Sequence, residues 1–205
     1  KKVSIIEKAI QLISDEKKIL GNLDKEEINY LNTYQLISTK PVVYICNVDE
    51  NSALSGNEFT KKIDTYSKEN NSEVLLISAK IESEISQITD FKDKQDFLES
   101  MGLKETGLKR VIKKGYEILN YINYFTAGEK ELRAWTITKG TLAPSAAGTI
   151  HSDMEKGFIR AETISFNDYL SHKGEAGAKE KGKLRLEGKE YEVKDGDIMH
   201  FLFNV

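Results

Sequence analysis

Two apolar runs in this chain each end in a short polar run, and the polar runs carry groups that could grip a flat heterocycle. Asn47-Val48-Asp49-Glu50 closes the stretch KPVVYICNVDE, and Ser78-Ala79-Lys80 closes EVLLISAK. A carboxylate can accept hydrogens from two neighbouring N–H donors in a charge-assisted, bidentate contact. An asparagine amide can pin a loop while facing a ring. The plain alternative is a turn, because Asn and Asp are ordinary turn formers, with Lys80 an exposed lysine at the start of a helix.

The elements around these runs decide between the readings. Pro41 opens a strand, and Val42, Val43, Tyr44, Ile45 and Cys46 form a continuous apolar run, the pattern of a parallel strand covered on both faces. Helix is expected from about Glu58 to Lys68, broken by Asn70-Asn71, and then a second such strand, Glu73 to Ile77. Strand, helix, strand is the crossover unit of an α/β sheet. Ligands of such sheets sit beyond the strand carboxyl ends, where both polar runs lie. Upstream, Val3, Ile6, Ile10 and Ile13 mark one helical face; Gly21-Asn22 is a stop, and Asp24 can cap a second helix, giving a helical hairpin over 1–37. Residues 81–119 read as helical again, with Thr106 as a cap.

From Asn120 onward the pattern changes to short strands. Tyr121 to Phe125 and Leu132 to Ile137 read as a hairpin turning at Ala127-Gly128. Pro144 can begin a short helix. Ile159 to Ile164 is a strand, 166–172 and 175–181 are short helical pieces, Lys183 to Leu186 pairs with Tyr191 to Val193 around Gly188, and Ile198 to Phe203 closes the chain. A small mixed sheet crossed by one helix, a β-grasp, accommodates this order.

Composition sets outer bounds. The formal charge of −3 argues against a uniformly basic nucleic-acid binder and for no DNA specificity. A single cysteine, Cys46, excludes an internal disulfide and a cysteine-rich zinc site, and is read as a buried strand residue. No apolar run approaches the ~18 residues of a membrane span, so no membrane partner is expected. The chain begins with Lys1 and shows no signal peptide, which reads as an internal start.

Several residues have a bland reading. Trp135 in a hairpin is expected in the core, His151 at a helix end, and His200 on the face of the last strand opposite Met199, Phe201 and Phe203. Gly177 to Leu184 has the spacing of a phosphate-binding loop, but Leu184 stands where a metal-binding hydroxyl is needed, and the flanking strand and helix come in the wrong order. Lys179, Lys181, Lys183 and Arg185, with Lys173 near, form a modest basic cluster diluted by Glu175, Glu180 and Glu187.

P-loop GTPases carry Asn-Lys-x-Asp at the end of one strand and Ser-Ala-Lys at the end of the next. Here Val48 replaces the lysine and Glu50 the aspartate, so strong guanine selection is not expected. With the stretches NYFTAGEKELRAWTITKGT, APSAAGTIHSDMEKGFIRAE and KLRLEGKEYEVKDGDIMHFLFNV, the chain from Thr39 to Val205 resembles the YchF/Obg-like ATPase family, a branch of the Obg-type P-loop GTPases. The resemblance implies an α/β plus α+β protein: the end of a coiled-coil-like helical insertion (1–37), the C-terminal part of a P-loop NTPase nucleotide domain (38–119), and a ubiquitin-like β-grasp TGS domain (120–205). It implies ATP or GTP binding and slow hydrolysis with Mg²⁺ in the full-length protein, cytoplasmic location, and association with the ribosome, the basic cluster being the first place to seek contact with ribosomal RNA. Asn47, Val48, Glu50, Ser78, Ala79 and Lys80 are the implied nucleotide-binding residues. No catalytic or metal-binding residue is expected in this chain, whose family phosphate loop would precede Lys1, so the chain alone is expected not to hydrolyse ATP. The alternative is a stand-alone TGS module that binds ribosome, RNA or protein without hydrolysis.

Overall fold

The two apolar runs form adjacent parallel strands. In the computed structural model, which describes residues 2–128 and 131–204, β1 (Val43–Asn47) pairs with β2 (Glu73–Ile77) in a register running from Val43 opposite Glu73 to Asn47 opposite Ile77. By its internal contacts the chain divides into two compact units, Lys1–Lys114 and Gly115–Val205. The division falls inside a helix rather than at its end. Among the described residues no helix is long and apolar enough to cross a membrane.

The first unit begins with α1 (Lys2–Ser14) and α2 (Lys25–Asn32). Asp24 caps α2 through a reciprocal box with Glu27, as its position suggests. The apolar face of α1 differs from expectation. Val3, Ile10 and Ile13 are exposed and Ile6 is half-buried, while Ile5 and Ala9 pack inward with Ile19 and Leu31. The cause is an early exit. α1 ends at Ser14, Glu16 takes a positive φ of 56°, and the chain turns back to bury Ile19 against the neighbouring face well before Gly21.

After β1, Asp49 caps a single 3-10 turn, Glu50–Ser52. α3 (Glu58–Glu69), capped by Asn57, then crosses to β2. It stops where Asn71 adopts a left-handed φ of 46°. α4 (Ala79–Gln87), α5 (Phe91–Ser100) and α6 (Gly107–Ile118) follow. Ile81, Ile85, Leu98, Leu103 and Ala53 make a small core. β1 is not covered on both faces, contrary to its apolar run: Ile45 is 53% exposed and Cys46 is only half-buried. Two strands alone leave part of their surface to solvent.

The second unit holds a mixed five-stranded sheet. β3 (Tyr121–Ala127) and β4 (Leu132–Thr138) form the expected hairpin, whose Glu129 and Lys130 lie outside the described residues. α7 (Ala143–Ile150) and α8 (Ser152–Lys156) lead to β5 (Phe158–Ser165); α9 (Phe166–Ser171) and α10 (Glu175–Glu180) precede β6 (Arg185–Glu187) and β7 (Asp197–Phe203). The strand order is β4-β3-β7-β5-β6, with β7 parallel to β3 and antiparallel to β5. Ala143, Ala146 and Ala147 are fully buried, and these small side chains bring α7 close to the sheet residues Tyr124, Ile137, Ala161, Met199 and Phe201. The expected pairing around Gly188 does not form. β6 pairs with β5 instead, and Glu192 bridges Leu142. The Tyr191 hydroxyl, donating to Asp197 at 2.7 Å, holds that segment.

Candidate functional site

The carboxyl ends of β1 and β2 meet. Asn47 Oδ1 accepts from the Ala79 N–H at 2.9 Å, and the Val48 N–H donates to Ile77 O at 2.8 Å. The side chain of the first polar run thus pins the backbone of the second, which is the arrangement their positions suggest. Parallel register makes this local: with Asn47 opposite Ile77, the residues after each strand emerge together.

The remaining polar groups sort into distinct tasks. Asp49 is committed to the turn, its Oδ1 accepting from the Ser52 N–H at 2.9 Å and its Oδ2 from the Ser52 hydroxyl at 3.1 Å. The Ser52 hydrogen bonds hold the Asp49 carboxyl below the usual carboxylate range. Glu50 forms an ion pair with Lys80 across the rim. Its hydrogen bond to Lys80 holds the Glu50 carboxyl below its ordinary value, and Glu50 raises the Lys80 ammonium in turn. Ser78 is buried at 4% exposure, and its hydroxyl has no hydrogen-bond partner among the described residues. All six expected residues, Asn47, Val48, Glu50, Ser78, Ala79 and Lys80, therefore lie at one rim.

Two residues that support the rim were not picked out from sequence. Glu82 on α4 accepts from the Gly107 N–H at 2.6 Å and the Leu108 N–H at 3.1 Å, so a carboxylate satisfies the opening amides of α6. Thr106 adds the expected cap, accepting from the Lys109 N–H at 3.2 Å. Arg110 on α6 donates through Nη2 to Leu76 O at 2.8 Å, one residue before the end of β2. Each is an ordinary charged residue on a helix by sequence, and only the packing of α4, α6 and β2 reveals its task.

Elsewhere, the first half of the Gly177–Leu184 stretch lies in α10, and a Cβ on Gly177 would stand 1.9 Å from His172 O, a packed helix rather than a phosphate cradle. Arg185 is partnered by Asp197 at 3.3 Å and Tyr191 at 3.1 Å, and Lys183 by Asp168 at 3.5 Å; Lys173, Lys179, Lys181 and Lys183 are all exposed. His151 accepts from the Asp153 N–H at 3.2 Å and opens α8. His200 is exposed between buried Met199 and Phe201. Trp135 packs on the core, bonds Thr126 through Nε1 at 3.0 Å, and carries the Arg133 guanidinium 4.1 Å above its ring.

Comparison with known proteins finds relatives over 99% of the chain. The family model YchF-GTPase_C, described as "Protein of unknown function (DUF933)", matches residues 121–204. The chain is 47% identical over 204 residues to the ribosome-binding ATPase YchF of Haemophilus ducreyi, covering 99% of this chain and 56% of that protein. It is 51% identical over 183 residues to the ribosome-binding ATPase YchF of Bacillus subtilis, covering 88% of this chain and 50% of that one. The structure of the Schizosaccharomyces pombe YchF GTPase superposes with a TM-score of 0.84 at 34% identity, over 97% of this chain and 53% of that chain. A GTP-binding protein of Pyrococcus horikoshii, at 18% identity and a TM-score of 0.58, shares the fold. The chain spans about half the length of the curated relatives it matches.

Proposed function

We propose, for a chain that belongs to the YchF family, that it supplies the base-gripping side of a purine-nucleotide site in a cytoplasmic, ribosome-associated ATPase. On this reading residues 1–37 end a helical insertion, 38–119 are the C-terminal part of the P-loop nucleotide domain, and 120–205 are a ubiquitin-like β-grasp TGS domain. The supporting observation is the Asn47–Ala79 hydrogen bond. It joins two strand ends into one rim beside which a purine edge can lie, at the carboxyl end of a parallel pair where α/β sheets bind ligands. Asn47 holds the rim closed, the Val48 N–H fixes the turn on Ile77, and Ser78-Ala79-Lys80 presents backbone along the second side.

Among the described residues no group of three or more His, Cys, Asp and Glu side chains stands together as a metal ligand set. ATP hydrolysis with Mg²⁺ belongs, on this reading, to the full-length protein, in which the role of this chain is to bind and orient the base. The test is nucleotide affinity of the full-length protein with Asn47→Ala. Loss of the rim hydrogen bond and the amide is expected to weaken ATP binding about tenfold, with ribosome co-sedimentation in the absence of nucleotide unchanged. Unchanged ATP affinity would remove the base site from this rim.

A second reading has its own support. The family model matches the second unit alone, and that unit closes a core of its own. A β-grasp that docks on ribosome, RNA or protein independently of nucleotide predicts that residues 115–205 co-sediment with ribosomes without ATP. Binding that appears only with nucleotide would favour the first reading alone.

A further inference from the structure

We propose that Lys80 is a selectivity residue of the base rim: by pairing with Glu50 it denies guanine the free carboxylate that guanine requires. This rests on the base-gripping reading above. Guanine shows two neighbouring donors, its ring N–H and its exocyclic amino group, and a carboxylate binds them only with both oxygens available. Two carboxylates follow Asn47. Asp49 has both oxygens on Ser52, and Glu50 has Oε1 on Lys80. Neither offers two free oxygens.

Adenine asks for less. Its amino group needs one acceptor, and the ring nitrogen beside it needs one donor. An ion pair shows both side by side, a remaining Glu50 oxygen and the ammonium of Lys80. The pair stands on anchored ground at each end. Lys80 follows Ala79, whose N–H is held by Asn47, and α4 is tied to α6 through Glu82. Glu50 begins the turn that Asp49 caps. An exposed ion pair adds little to folding stability, so removing Lys80 leaves the fold and exposes the selectivity.

The experiment measures ATP and GTP affinity of the full-length protein as wild type, Lys80→Met, Glu50→Gln and the double variant, with melting temperature as the folding control. Lys80→Met is expected to raise GTP affinity relative to ATP about tenfold, the effect of one released charged hydrogen bond at an accessible site. The double variant should lose the gain in GTP affinity itself, because that gain needs the freed Glu50 carboxylate, while its ATP affinity stays below wild type without the ion pair. A ratio unchanged in Lys80→Met, an equal loss for both nucleotides, or a gain that survives Glu50→Gln would each overturn the proposal. Asn47→Ala separates the two levels of the argument. If it weakens ATP binding while the Lys80→Met ratio stays fixed, only the selectivity role fails; if ATP binding ignores Asn47, the base site fails with it.

Discussion

The first unit distributes its apolar side chains over two small clusters, one around Ile5, Ala9, Ile19 and Leu31 and the other around Ile81, Ile85, Leu98 and Leu103. The second gathers Tyr124, Ile137, Phe158, Ala161, Val193, Met199 and Phe201 into one. In the first, Ile37, Phe91 and Ile45 stay exposed, and among the described residues the strands that carry the rim pair only with each other. Parallel sheets are normally buried on both faces, and two strands alone are marginal. The difference teaches where each unit keeps its stability. The second is held by a continuous core, whereas the first combines two small clusters with polar ties placed near its site. Regions with few buried apolar contacts open locally at lower free energy. In hydrogen exchange, the amides of β1 and β2 are therefore expected to exchange ahead of those of β5 and β7.

The largest expected effect breaks the second unit by geometry. A Cβ on Gly157 would stand 2.1 Å from Asn204 O and 2.8 Å from its carbonyl carbon, both backbone atoms that cannot swing aside. Gly157 and Asn204 are also joined, the Asn204 N–H donating to Gly157 O at 2.9 Å. Gly157→Ala is expected to cost about 3 kcal/mol or more. Its mark is loss of protection across β5 and β7 with the first unit's helices retained. If protection in α3 and α4 falls equally, the units do not differ as described.

Next in size is Glu82→Ala, which acts on the first unit. It removes both charged hydrogen bonds to the start of α6, a loss of about 2 kcal/mol. Gln at this position keeps one acceptor oxygen and should recover part of the loss. Denaturant unfolding followed by residue-resolved NMR is expected to move the midpoint of α4 and α6 and leave β5 and β7 in place. An unmoved first-unit midpoint would mean that its small clusters, not its polar ties, hold it.

Much of this was legible in the residues themselves. β-branched runs ending in polar runs locate β1 and β2, and their order across one helix brings the polar ends together. Asp24 and Thr106 announce the helices they cap. Features that depend on which distant faces meet were not legible. Ile6 and Ile10 suggest one stripe on α1 as strongly as Ile5 and Ala9 suggest its neighbour, and only the burial of Ile19 decides between them. Tyr191 to Val193 has the composition of a strand, but composition does not name its partner, and Asp197 does. The Lys80–Glu50 pair, the key to the selectivity argument, needs the register of two strands before it can be seen.

The smallest effect concerns alkali and reads the enclosed core directly. Tyr124 is fully buried, donates to Ala146 O at 2.9 Å, and is pushed by burial up to about 12 from an ordinary 10.0. Tyr191 is also pushed up to about 12, by burial first and then by its hydrogen bond to Asp197. A raised value in the folded state means that the folded chain holds its phenol proton where the unfolded chain has released it. Stability is then complete below the unfolded value and declines as pH rises from about 10 towards about 12. The Tyr124 share of that decline is about 1 kcal/mol at about pH 11. Tyr124→Phe also removes the hydroxyl contact, so it lowers stability at neutral pH, and the informative quantity is the slope with pH rather than the level. The slope for the second unit should flatten in Tyr124→Phe, followed by tyrosinate absorbance alongside near-ultraviolet circular dichroism. A slope identical to wild type would show that the Tyr124 phenol reaches solvent in the folded chain, and the contrast between an enclosed second unit and a more open first would lose its clearest marker.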